Sequence, residues 1–311
     1  MKRRTLAFSI ALAAMTFLLR AEIGSDAAGQ TPVRNEMKTF TLGLVSAVNQ
    51  KEIAEHFREF AHYVARKLYA PADAEGKVVV APTLSELAKL LTQNNVDFFM
   101  ESPYPTYVVN HVHGAANLLL RRWKGGKAEY RSLIAARKDS NMSRLQDLRG
   151  KIIAFEDPES TSGYFLPKFF LQRNGFKLSQ VPAENAKVPM TEVGYLFGKT
   201  QDNLIELVLS KQVAAGALSD DDYAALDNQK KTNLNILAQT ELLPRHLVSV
   251  RKNLAPELIQ RLGRVLQSMN EDDEGRKILR SIDTTQFDVL PGGEEVMRRR
   301  LLDTFHSPGK N

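Results

Sequence analysis

No cysteine occurs among the 311 residues. That excludes a disulfide framework and thiol chemistry. It also excludes a lipid anchor on a cysteine behind a leader peptide. Glycine (18) and proline (13) are not enriched, while hydrophobic residues make up 43% and charged residues 25%. Such a mixture excludes collagen-like, fibrous and disordered classes. No block of one charge is present either. The 42 Lys+Arg against 36 Asp+Glu leave +6, spread along the chain, so nucleic acid is not an expected partner. A membrane-spanning run of ~20 apolar residues is also lacking. An uncharged apolar stretch, Thr5 to Leu19, has fifteen residues, follows Lys2-Arg3-Arg4 and is ended by Arg20. This pattern reads as a secretory signal peptide with a plain basic start. Residues 1–29 are assigned to signal and arm, with cleavage between Ala21 and Gly29. Their loss removes four basic and two acidic groups, 6 − 4 + 2, leaving the exported chain near +4. The expected location is the periplasm, as a soluble protein.

Folded sequence begins near Thr39. The stretch TFTLGLV reads as a strand, and Ile53, Phe57, Phe60, Ala61, Val64 and Leu68 then recur at helical spacing. KVVVA is a buried strand, Thr83-x-x-Glu86 is a capping box, and Leu84, Leu87, Leu90 and Leu91 form the apolar stripe behind it. Val96–Met100, Ala116–Arg121, Tyr130–Arg137, Lys151–Phe155, Val213–Leu218 and Leu234–Ala238 read as strands. Helices are expected at Leu204–Leu209, Pro256–Met269 and Asp273–Ile282. Strand alternating with helix predicts an α/β fold with parallel pairing, in two sheets rather than one.

The segment Asp157-Pro-Glu-Ser-Thr-Ser-Gly-Tyr164 follows the strand KIIAF and precedes the apolar run Phe165–Leu171. A helix start presents N–H groups without intrahelical partners and the positive end of the macrodipole, so it suits an anion. Ser160, Thr161 and Ser162 add hydroxyl donors there, and Gly163 lets a ligand approach the backbone. The alternative is a plain serine cap. Pro167 lies inside the expected helix, so that helix must kink or start late.

This segment resembles the D-P-x-S-T-S-G motif of the periplasmic solute-binding proteins of phosphonate, phosphite and phosphate ABC transporters. The resemblance extends upstream through SLIAARKDSNMSRLQDLRGKIIAF. Downstream it continues through LPRHLVSVRKNLAPELIQRL and MNEDDEGRKILRSIDTTQF, and in all it spans Thr39 to Phe287. It implies a type II clamshell of two α/β lobes joined by two crossing strands, near Tyr130–Arg137 and His246–Arg251. Residues 39–130 plus 250–305 would form one lobe and 131–249 the other. It further implies that Ser160, Thr161, Ser162 and Gly163 bind the oxyanion, with no bond made or broken.

The other pocket positions depart from the family pattern. Glu101 stands where the family places an aromatic, Gln201 where a histidine is frequent, and His246 where an acid occurs. Asp221 falls where members that bind an aminated phosphonate carry an acid. Ser102 and Tyr104 are expected to face the cleft, on a loop whose path Pro103 and Pro105 set. Carboxylates at Glu101 and Asp221 repel a bare oxyanion but attract an ammonium on a zwitterion. The alternative for Asp220–Asp222 is a solvated turn.

Three other patterns carry no chemistry. His111-x-His113 lacks a third metal ligand. Gly198-Lys-Thr200 lacks the glycine a phosphate loop needs at Val193, and Ser249-x-x-Lys252 lacks its partner motifs. Trp123 beside Gly125-Gly126 reads as packing. The resulting expectation is a monomeric, exported binding protein that delivers a small phosphonate-, phosphite- or phosphate-like oxyanion to an ABC permease. No cofactor or metal is expected. A sensor subunit that presents its closed form to a membrane receptor is the alternative, and an enzyme ranks third.

Overall fold

The computed structural model describes residues 37–306; the expected signal peptide lies outside them. The chain opens with β1 (Lys38–Val45), α1 (Gln50–Tyr69), β2 (Ala74–Ala81) and α2 (Leu84–Thr92). Thr83 caps α2 by accepting from the Glu86 N–H at 3.2 Å, one of the two bonds of the expected capping box. Then come β3 (Phe98–Glu101), α3 (Pro103–Tyr107) and β4 (Ala116–Lys124). The Pro103–Pro105 stretch is thus helical rather than a loop. Pro103 starts it with a fixed φ where no N–H is needed, and a π turn over Val108–Val112 carries it on.

Past the Gly125-Gly126 turn lie β5 (Glu129–Tyr130), β6 (Ser132–Arg137), β7 (Ile152–Phe155), α4 (Leu166–Arg173), β8 (Lys177–Gln180) and β9 (Glu192–Phe197). The next elements are α5 (Gln201–Leu209), β10 (Ala215–Ser219), α6 (Asp220–Ala225), α7 (Asn228–Thr232) and β11 (Leu234–Gln239). The chain returns through β12 (Leu243–Pro244) and β13 (His246–Arg251), and ends in α8 (Pro256–Ser268), α9 (Asp273–Ser281), β14 (Thr284–Val289) and α10 (Gly293–Phe305).

Two six-stranded sheets result, ordered β14-β4-β13-β3-β1-β2 and β11-β6-β10-β7-β9-β8. Both are mixed, with parallel pairing at β1–β2 and β7–β9 and antiparallel pairing at β13–β4 and β10–β6. A core lies on each face of each sheet. Close helix–sheet packing needs glycine at Gly76, where a Cβ would sit 2.0 Å from the Ala61 carbonyl.

Between the sheets runs a two-stranded ladder of β5 and β12, pairing Tyr130 with Leu243. This moves both expected crossings. Ser132–Arg137 lies wholly in the second sheet, and His246–Arg251 lies between β3 and β4 of the first. The sheet boundary therefore falls near Arg245 rather than at 249/250. The apolar alternation of HLVSV marked a strand but not the sheet it joins, which non-local pairing selects.

Candidate functional site

The helix after β7 begins as a π turn over Thr161–Phe165 and becomes α-helical at Leu166, with Pro167 in its first turn. The conflict raised by Pro167 resolves here. Having no N–H, Pro167 leaves the Gly163 carbonyl free of its usual helical partner. That carbonyl instead accepts from the Glu156 N–H at 3.1 Å.

The hydroxyl residues divide their tasks. Ser160 is the cap: its Oγ accepts from the Gly163 N–H at 2.9 Å and donates to Glu156 Oε2 at 2.8 Å. Its hydrogen-bonding capacity is largely spent inside the protein, so the expected ligand donor at Ser160 is taken. Gly163 also has a different reason from the expected one. A Cβ there would lie 2.4 Å from Glu156 Oε2, so glycine makes room for a side chain of the protein. Thr161 and Ser162 are the first helical residues, whose N–H groups lack intrahelical acceptors. Both are buried.

Thr161 faces the first sheet. Its Oγ1 shares a hydrogen bond with Ser102 Oγ at 2.9 Å and accepts from the Tyr104 N–H at 3.3 Å. Tyr104 stacks on Phe165, so α3 and the π turn meet directly. The structure thus brings together Glu101, Ser102, Tyr104, Thr161 and Ser162, on elements from both sheets.

Glu101 ends β3 in a largely buried position. The Val45 and Ser102 N–H groups donate to its two carboxylate oxygens at 3.3 Å each. Loss of hydration raises its pKa to about 7, against the lowering pull of these N–H groups and of Arg122 and Lys124. Arg122, on β4, is only 2% exposed. Its Nε donates to Thr284 Oγ1 at 2.8 Å and its Nη2 to the Ile282 carbonyl at 2.6 Å. Burial lowers its pKa to about 10, which leaves it charged at neutral pH. His246 Nδ1 lies 3.5 Å from Arg122 Nη1. Burial, with Arg122, Lys124 and Arg245 nearby, holds this imidazole well below its usual range and neutral.

Arg245 follows β12 and stands over the Tyr130 ring at 4.5 Å. The buried Tyr130 hydroxyl is pushed up to about 12 by desolvation; Arg245 and the Thr161 and Ser162 hydroxyls oppose the rise. Arg122, Lys124 and Arg245 therefore gather positive charge near Glu101 and Tyr130.

Asp221 does not offer a free carboxylate. It pairs with Arg245 at 3.1 Å and with Lys127, so an ammonium partner there is already supplied by the protein. Gln201 opens α5, and its amide nitrogen, turned toward Asp222, lies 2.8 and 3.1 Å from that carboxylate. Neither residue joins the Thr161 cluster.

Sequence reading missed Arg122, Lys124, Tyr130 and Arg245. One signal was present: Arg122 shares strand parity with the buried Leu118 and Leu120. A charge on the buried face of a strand needs a partner or a ligand. Tyr130 and Arg245 carried no local sign, because the β5–β12 ladder alone places them.

A model of the family described as ABC transporter, phosphonate, periplasmic substrate-binding protein matches residues 42–290. The phosphate-import protein PhnD of Mycolicibacterium smegmatis is 25% identical over 260 residues, covering 81% of this chain and 78% of that protein. XAC2383 of Xanthomonas citri, solved bound to ATP, is 26% identical with a TM-score of 0.74, over 87% of this chain and 96% of that one. PhnD1 of Prochlorococcus marinus, in complex with methylphosphonate, shares the fold at a TM-score of 0.57. It is 15% identical over 87% of this chain and 99% of that one.

Proposed function

The chain belongs to the periplasmic substrate-binding proteins of phosphonate ABC transporters, and we propose that it is exported and captures a phosphorus oxyanion between its two sheets for delivery to a membrane permease. Its fold is the type II periplasmic-binding-protein fold, and its family binds solutes for transport rather than catalysing reactions. Among the described residues no helix is long and apolar enough to cross a membrane.

One observation carries the ligand class. The buried start of the helix at Thr161 and Ser162 meets Arg245 at Tyr130, and Arg122 and Lys124 lie near Glu101, whose neighbour Ser102 bonds to Thr161. Partnerless N–H groups, hydroxyls and fixed cations in a poorly hydrated cleft favour a compact anion with several acceptor oxygens. The import of phosphate by the Mycolicibacterium relative and the ATP held by XAC2383 support a ligand recognised through a phosphate-type group. Ion pairing of Asp221 within the protein argues against an aminated phosphonate held at that residue.

A thermal-shift panel of phosphate, phosphite, methylphosphonate, sulfate and short carboxylates tests the reading. A phosphorus oxyanion at 100 times its Kd stabilises the native state by ~2.7 kcal/mol. A response confined to carboxylates would contradict it.

A further inference from the structure

We propose that the cavity beside the oxyanion site binds the organic part of the solute, a substituent of ribose size or larger that carries hydroxyl groups. This rests on the oxyanion reading above and extends it from bare oxyanions to phosphate esters and substituted phosphonates. The cavity measures about 450 Å³ and lies between the two sheets. Val45, Leu84 and Ser85 wall it on one side, Pro158, Glu159 and Phe165 on the other. Glu101, Ser102 and Tyr104 line it as well, and the last two touch the Thr161 hydroxyl. The cavity therefore borders the helix start.

Three features assign the ligand chemistry. The volume lies in the ~300–1,000 Å³ range of sites that bury small organic molecules, far beyond what five heavy atoms fill. No lysine or arginine lines the cavity, whereas the exposed carboxylate of Glu159 and the carboxyl of Glu101 do. Such a wall offers an oxyanion no cation and accepts hydrogen bonds, so the anion stays at the helix start and the neutral, donor-bearing part enters the cavity. Leu84, Tyr104, Pro105, Val108 and Phe165 supply an apolar surface for the carbon skeleton.

Titration calorimetry on the purified protein with phosphate, methylphosphonate, ribose 5-phosphate and ribose tests this. Ribose 5-phosphate should bind at least tenfold more tightly than phosphate or methylphosphonate, and ribose alone should not bind. Ser85→Trp fills the cavity from an exposed position and should reduce ribose 5-phosphate to the affinity of phosphate. Glu159→Ala, also exposed, should weaken the ester while leaving methylphosphonate within twofold. Equal or weaker binding of the ester in the unaltered protein, or an unchanged ratio in Ser85→Trp, overturns the inference and leaves the oxyanion reading standing. Binding of none of the phosphorus compounds overturns both.

Discussion

Ser160 and Thr161 are adjacent in the chain, yet their substitution should read out in different experiments. Thr161→Ala removes a hydroxyl that joins Ser102 and faces Tyr130 at the helix start. A hydrogen bond to charge contributes roughly 1.5–3 kcal/mol, so oxyanion affinity should fall about 10- to 150-fold by calorimetry. Ser160→Ala removes the cap and should lower unfolding free energy by ~1 kcal/mol in denaturant titration. Its effect on affinity should be smaller than that of Thr161→Ala. The reverse order would make Ser160 the ligand donor. Glu101 gives the site a pH response. Its carboxyl keeps its proton up to about pH 7 in the folded chain, whereas the unfolded chain releases it near the ordinary value for glutamate. The folded state thus binds more protons between those two values, so this residue's contribution makes stability fall as pH rises across that window and level off above it. Protonated Glu101 repels no anion and can donate to one. Oxyanion affinity relative to Glu101→Gln should therefore drop about tenfold from pH 6 to pH 8. A constant ratio across that range would remove Glu101 from the anion's surroundings.

At the scale of elements, α10 fastens the two halves of the site from behind. Arg173, at the end of α4, donates from Nη1 to the Asp303 and Thr304 carbonyls at 2.8 and 2.9 Å. These are last-turn carbonyls of α10, where a cation is favoured by both hydrogen bonding and the macrodipole. Farther along the same helix, Arg300 reaches Glu129 at 3.4 Å and the Leu242 carbonyl, beside the β5–β12 ladder. Leu166, Leu247, Met297 and Leu301 fill the space between, in one apolar cluster. Arg173→Ala should cost ~1 kcal/mol. For a chain of this size that lowers Tm by about 2–4 °C, measurable by calorimetric scanning. An unchanged Tm would show that the apolar cluster alone holds α10 in place.

For the whole molecule, the Ser102–Thr161 hydrogen bond and the Tyr104–Phe165 stack are direct contacts between parts built on different sheets. The β5–β12 ladder and the neighbouring linkers connect those sheets. A ligand that touches both sides shifts the balance between open and closed arrangements by its preference for the closed one. Small-angle scattering should show a smaller radius of gyration with saturating phosphorus oxyanion. It should show a larger one, without ligand, for Ser102→Ala combined with Tyr104→Ala. Identical radii in all cases would contradict domain closure.

What the sequence by itself determined is local. The alternation of apolar strands and helices, the Thr83 cap, and the turn of small residues before an apolar helix follow from contacts a few residues apart. Steric preference and orphan N–H groups govern such contacts directly. The conflict at Pro167 was legible too, although the π turn that resolves it depends on Glu156 taking up the Gly163 carbonyl. What the tertiary structure decided is which of those elements meet. Glu101, Arg122, Tyr130, Thr161 and Arg245 converge because β3, β13 and β4 are neighbours in one sheet and a short ladder leads to the other. The same packing spent Ser160 as a cap and Asp221 as an ion-pair partner. Burial then raised one carboxyl and neutralised one imidazole, since desolvation depends on everything that surrounds a group and not on its neighbours in the chain.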